Sequence, residues 1–240
     1  MGTGRKVAVV GFWEGNRNDA PFQNPDFEIW GLNHLHPWIP RWDVWFDMHT
    51  PEWSAKGLKP EVWADQDGWL KKDHGKPIYM LKRYEAYPDS VPYPLEAVGA
   101  KFRKYFTNGI AYMLGLALYE HVNGKPIERL EVWGVDMRHE EEYALQRPCA
   151  EYWLGRAEGL GIDVFIPSTS VICSADFLYG YEEQGGIVSE AIREHEKVVR
   201  TCEAKIEEAL KLAQTLDGMR QDNQEWLRRW KQKARGGGLL

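Results

Sequence analysis

Cysteine is scarce in this chain, with Cys149, Cys173 and Cys202 the only three in 240 residues. They are odd in number, far apart and outside any C-x-x-C pair, which excludes a disulfide framework and a zinc ribbon. Reduced, mostly buried thiols are expected instead. Long apolar runs are missing too: no stretch approaches the roughly 18 consecutive apolar residues of a membrane-spanning helix. The opening residues run from Met1 to Lys6 straight into Val7-Ala8-Val9-Val10, without the apolar region of a signal peptide. The expectation is a soluble cytoplasmic protein with no membrane partner. Ahead of the C-terminal segment there is no Lys/Arg run, and the net charge is −6. The electrostatic footprint of a duplex-binding protein is therefore lacking, and nucleic acid is not the expected partner.

What is present in excess is aromatic: 13% of residues, 12 of them Trp, more than packing alone requires, so some rings should line a pocket. Short Val/Ile/Trp-rich runs at Lys6 to Phe12, Glu28 to Leu32, Val44 to Met48, Ile78 to Leu81, Glu131 to Val135 and Asp163 to Ile166 have the pattern of strands buried on both faces. Tyr105 to His121 and Cys149 to Leu160 carry helical spacing between them. The fold class is α/β, a Rossmann-like, mostly parallel sheet with helices on both faces. Its domain covers residues 1–185, in which 51–95, rich in Pro, Trp, Tyr and Lys, reads as an irregular insertion or lid. Residues 186–235 form a long amphipathic helix, and the tail 236–240 is expected to be disordered. Val188, Ile192, His195, Val199, Cys202, Ile206, Ala209 and Ala213 recur at alternating steps of four and three. That narrow seam suits a coiled coil and a homo-oligomer, or docking along the chain's own domain.

Chemistry-bearing residues gather where strands end. The first strand runs into Gly11-Phe12-Trp13-Glu14-Gly15-Asn16, a turn in which Gly11 and Asn16 are candidate phosphate contacts. Its spacing matches neither a dinucleotide fingerprint nor a Walker loop, and a plain turn is the competing reading. Asn33 follows the second strand. Thr107, Asn108 and Gly109 precede a helix, where backbone N–H groups bind anions. Asp136 ends a later strand and is followed by His139, Tyr143 and Arg147, which offer a general base, a phenol donor and a phosphate fork, or else a solvated connection. His34, His36, Asp47 and His49 are competent metal ligands, but no helical H-x-x-x-H backs them, so a metal site is the alternative.

Three blocks taken together resemble one superfamily: Trp30-Gly31-Leu32-Asn33, Phe106-Thr107-Asn108-Gly109-Ile110-Ala111-Tyr112, and Val132-Trp133-Gly134-Val135-Asp136. They look like the Rossmann-like group of bacterial lipooligosaccharide sialyltransferases and archaeal hydroxymethylpterin pyrophosphokinases. This chain has Leu32 where that family has cysteine, Asn108 for a serine and Val135 for an isoleucine. Gly134-Val135-Asp136-Met137 with Gln146-Arg147-Pro148 also resembles proteins of tailed bacteriophages, which would place the chain in a host cytoplasm. The resemblance implies a transferase, glycosyltransferase-like, with a nucleotide or nucleotide sugar as ligand and a divalent metal as an optional addition. Asn33 would contact ribose or phosphate, Thr107, Asn108 and Gly109 would cradle the phosphate, and His139, failing that Asp136, would take the acceptor proton. Tyr143 and Arg147 would stabilise the leaving phosphate. Two other readings stay open: a non-catalytic phage protein that sequesters a host signalling nucleotide, and a metal-dependent phosphohydrolase or pyrophosphokinase built on His34, His36, Asp47 and His49.

Overall fold

Val7, Ala8, Val9 and Val10 are all fully buried, without the alternation of a half-exposed strand, so both faces of this strand are covered. They belong to β1 (Arg5–Val10), at the heart of a seven-stranded sheet with β2 (Phe27–Leu32), β3 (Val44–Asp47), β4 (Ile78–Met80), β5 (Ser90–Pro92), β6 (Ile127–Trp133) and β7 (Asp163–Phe165). The computed structural model describes residues 4–137, 141–175, 178–181 and 186–235, without the side chains of 141–143, 186–196 and 235. The strand order is β5-β4-β3-β2-β1-β6-β7 and every pair is parallel. Val9 of β1 lies between Trp30 of β2 and Val132 of β6. The chain steps outward from β1 to β5 and then returns to lay β6 on the other side of β1. The strand order therefore reverses between β1 and β6, and it is outside the carboxyl ends at such a reversal that open α/β sheets form their crevice.

The helices are α1 (Glu14–Arg17), α2 (Pro51–Gly57), α3 (Pro60–Leu70), α4 (Leu95–Lys101), α5 (Gly109–Val122), α6 (Glu141–Gly159) and α7 (Gly186–Arg235), with a 3-10 turn at His36–Trp38. The segment 51–95 is regular where an irregular insertion was expected: it supplies α2, α3, β4 and β5 and extends the sheet to its edge. Its aromatic composition, which blurs any periodicity, packs a cluster of rings instead. Trp69 lies 4.9 Å from Trp45, 5.4 Å from Trp42, 4.6 Å from His36 and 4.4 Å from His74. Pro92 is tolerated because β5 is an edge strand.

Helix α6 begins eight residues earlier than the Cys149 start expected from sequence, because Pro148 lies inside it rather than before it. A proline there removes one intrahelical bond and loosens the ladder. The carbonyls of Leu145 and Gln146, just ahead of it, accept from Thr107 Oγ1 (3.1 Å) and Asn108 Nδ2 (3.0 Å). Of the cysteines only Cys149 is buried, its Sγ donating to Tyr105 O; Cys173 and Cys202 are exposed, contrary to expectation.

The chain divides into two compact units, 1–174 and 175–240, a boundary eleven residues ahead of the one expected at 185. Within the second, α7 is a single helix of 50 residues, about 75 Å long at 1.5 Å per residue. Along its described side chains Val199, Cys202, Ile206, Leu216, Leu227 and Trp230 are exposed. Val188, Ile192 and His195 lie outside the described side chains, as does the tail 236–240. Among the described residues no helix is long and apolar enough to cross a membrane.

Candidate functional site

Two glycines meet at the reversal. Gly11, one residue past β1, donates its N–H to Trp133 O at 2.8 Å, and Trp13 N–H returns a bond to Gly134 O at 2.8 Å. A Cβ on Gly11 would stand 2.5 Å from Gly134 O, and one on Gly134 would stand 2.4 Å from Gly11 O, with Gly134 in the left-handed region at φ 66°. The obstruction is backbone on both sides, so only glycine fits at either position. Asn16 locks the arrangement. Its Oδ1 accepts from Gly134 N–H at 2.6 Å, and its Nδ2 donates to Thr169 Oγ1 at 3.0 Å. Buried and committed at both ends, Asn16 is a clamp between turns and not the ligand contact expected of it.

From this pair opens a cleft of about 470 Å³ lined by Gly11, Phe12 and Trp13 after β1, Leu32 and Asn33 after β2, His49 and Trp53 beyond β3, residues 107–110 at the start of α5, residues 134–137 after β6, and Gln146. Its volume is that of a small-molecule site. Asn33 sits at φ 50°, its N–H donating to Phe46 O and its carbonyl accepting from Trp45 Nε1 at 2.9 Å. Met137 is also left-handed, at φ 56°. Asn33, Gly134 and Met137 thus concentrate unusual backbone in one cleft, the distribution that functional sites favour.

Asn108 caps α5, its Oδ1 accepting from Ala111 N–H at 2.8 Å. With Thr107 Oγ1 and Asn108 Nδ2 already donating to α6 carbonyls, what this helix start presents to the cleft is backbone: the N–H groups of Gly109 and Ile110, which have no carbonyl one turn earlier in the helix to bond. The three residues 107–109 line the cleft as expected, but the side chains of the first two build the turn.

At the opposite side Asp47 is 3% exposed. Its Oδ2 accepts from Gln66 Nε2 at 2.9 Å, while Oδ1 accepts from His49 N–H at 3.3 Å and lies 3.7 Å from His49 Nδ1. The His49 ring stacks on Trp53, with centroids 4.2 Å apart and planes 8° from parallel. Trp53 is placed by the start of α2, where Thr50 Oγ1 accepts its N–H and Pro51 occupies the first turn. Sequence reasoning passed over Trp53, although Thr50-Pro51 is a recognisable helix start that sets it one turn in. Phe12, Trp13, Met137 and Gln146 were also missed as lining residues.

The remaining candidates disperse. Asp136 reaches the cleft, but its Oδ1 accepts from Val171 N–H at 3.1 Å, which ties down the 167–174 segment together with the bond from Ser170 Oγ to Val135 O. Arg147 does not line the cleft: on α6 its Nε pairs with Glu151 at 2.7 Å, one turn on, and its guanidinium also reaches Ser174 O. His139 and the side chain of Tyr143 lie outside the described residues. The four metal candidates are not gathered. His36 stacks on Trp69 and its Nε2 meets Asp65 at 2.9 Å, His34 packs beside Phe12, and Asp47 is held by Gln66. Burial lowers the pKa of His34 and of His36, favouring neutral rings. Among the described residues no group of three or more His, Cys, Asp or Glu side chains is placed to hold a metal ion.

No protein-family model and no curated protein matches the chain. Among solved structures it is similar to a variant of the sialyltransferase CST-II in complex with CMP, at 13% identity and a TM-score of 0.40, over 68% of this chain and 81% of that one.

Proposed function

We propose that the cleft binds a nucleotide or nucleotide-like phosphate compound, and that the protein transfers a group from an activated nucleotide donor, with nucleotide sugars as the leading donor class. The observation that carries this reading is the start of α5, opening beside Asn33 at the strand-order reversal. The N–H groups of Gly109 and Ile110, at the positive end of a 14-residue helix, suit a phosphate. The Asn33 carboxamide is within the same cleft to bond ribose or phosphate, and Phe12, Trp13 and Trp53 supply apolar faces for a base.

A thermal-shift panel of nucleotides and nucleotide sugars, with and without divalent metal, tests the reading, since a ligand at 100 times its dissociation constant adds about 2.7 kcal/mol. Asn33→Ala is expected to weaken the best ligand roughly tenfold, the worth of one side-chain hydrogen bond to a charged group. Unchanged affinity in calorimetry would move the ligand out of this cleft. A second reading, binding without turnover, is favoured by Asp136, whose carboxylate already holds Val171 N–H. Tight binding of a nucleotide sugar with no release of sugar would select it.

We also propose self-association through the α7 seam. Light scattering of the full chain should give a mass above 27.8 kDa, and a chain ending at Ser174 should give a monomer.

A further inference from the structure

We infer that His49 is the group that exchanges a proton with a ligand in this cleft, and that Asp47 positions it. The inference rests on the nucleotide reading of the cleft. A buried carboxylate needs partners. Gln66, 1% exposed, turns its Nε2 donor toward Asp47 at 2.9 Å.

The other oxygen of Asp47 serves His49, by backbone at 3.3 Å and by ring Nδ1 at 3.7 Å. At 3.7 Å the carboxylate is beyond hydrogen-bond reach of Nδ1, but its charge favours a proton on that side of the ring, which leaves Nε2, on the far side, with its lone pair. The stack on Trp53 fixes the ring plane. His49 is thus aimed by two contacts while its side chain stays 37% exposed in the cleft lining, with Asn33 and the first turn of α5 in the same lining. Asp136, the other titratable side chain among the described lining residues, has a hydrogen-bonding duty of its own.

In the transfer step Nε2 takes the proton of an acceptor hydroxyl as that oxygen bonds to the donor carbon. The bond from this carbon to the nucleotide phosphate oxygen breaks, and its electron pair leaves with the phosphate toward the Gly109 and Ile110 N–H groups. The ring then carries one positive charge beside the Asp47 carboxylate, and the proton count closes.

Nitrogen-15 NMR of the uniformly labelled full-length protein, with His49→Gln for assignment of the ring and CMP, UMP, AMP and GMP as probes, decides the matter. The expected result at neutral pH is a His49 ring protonated at Nδ1 with Nε2 bare, an Nε2 signal that moves with at least one nucleotide, and loss of the single tautomer in Asp47→Asn. A free-protein ring protonated at Nε2 instead would overturn the positioning role without any variant having to fold. If the amides of Asn33 and Gly109 moved with nucleotide while His49 did not, the nucleotide reading would stand and this inference would fall. No shift at any of the three with all four probes would remove both.

Discussion

On the β1 and β6 side of the cleft, backbone meets backbone: Gly11 against Gly134, braced by Asn16, with no side chain able to adjust. On the β3 and α2 side the same cleft is made of side chains, with Asp47, His49, Gln66 and Trp53 touching through rings and hydrogen bonds. The first side sets shape and offers fixed donors, whereas the second offers groups that can gain or lose a proton. Substitutions should therefore cost stability on the first side and chemistry on the second.

The contrast is tested most severely by Gly134→Ala, which must place a Cβ 2.4 Å from Gly11 O at φ 66°. A loss of about 2–4 kcal/mol in chemical denaturation is expected, from strain and overpacking together. A loss under 1 kcal/mol would mean that the two turns can part, and the fixed character of this side would be wrong.

Acidification should have an intermediate effect. Burial lowers the pKa of His34 and His36, so below the unfolded value of about 6.5 the unfolded chain binds more protons than the folded one. Their contribution is complete above that value and is lost as pH falls from it through the folded pKa. The denaturation midpoint should drop as pH falls below about 6.5, and His36→Gln should drop less. A flat profile would show that burial of these rings is not coupled to stability.

The smallest effect is expected from Trp53→Ala, because that ring is 57% exposed. Stability should stay within about 0.5 kcal/mol, as for other surface positions, while the His49 ring loses its stack. A large loss of stability would make Trp53 a packing residue and erase the distinction between the two sides.

Much of the frame is legible in the residues themselves. Runs such as Val7-Ala8-Val9-Val10 and Ile29-Trp30 have the pattern of strands covered on both faces, and the turns after them hold Gly11 and Asn33, which do line the cleft. What local sequence cannot carry is the identity of distant partners. Asn16 looks like a phosphate contact until Gly134 and Thr169, 118 and 153 residues away, claim both ends of its amide. Strand β5, three residues with a proline, exists because β4 offers it a ladder, not because of its own propensity. Pro148 reads as a helix boundary, yet α6 runs through it while its carbonyls serve the turn before α5. His49 read only as a metal ligand, since its relation to Gln66 passes through Asp47 and is invisible in spacing.

The Gly11–Gly134 contact also constrains how this molecule can change over generations. Each glycine is obstructed by the main-chain oxygen of the other, and a main-chain oxygen cannot be mutated away. No second substitution can rescue the first, so the two positions are barred from drifting one at a time. Any descendant that keeps this cleft should keep both, which makes the pair, 123 positions apart in the chain, a better marker of kinship than overall identity.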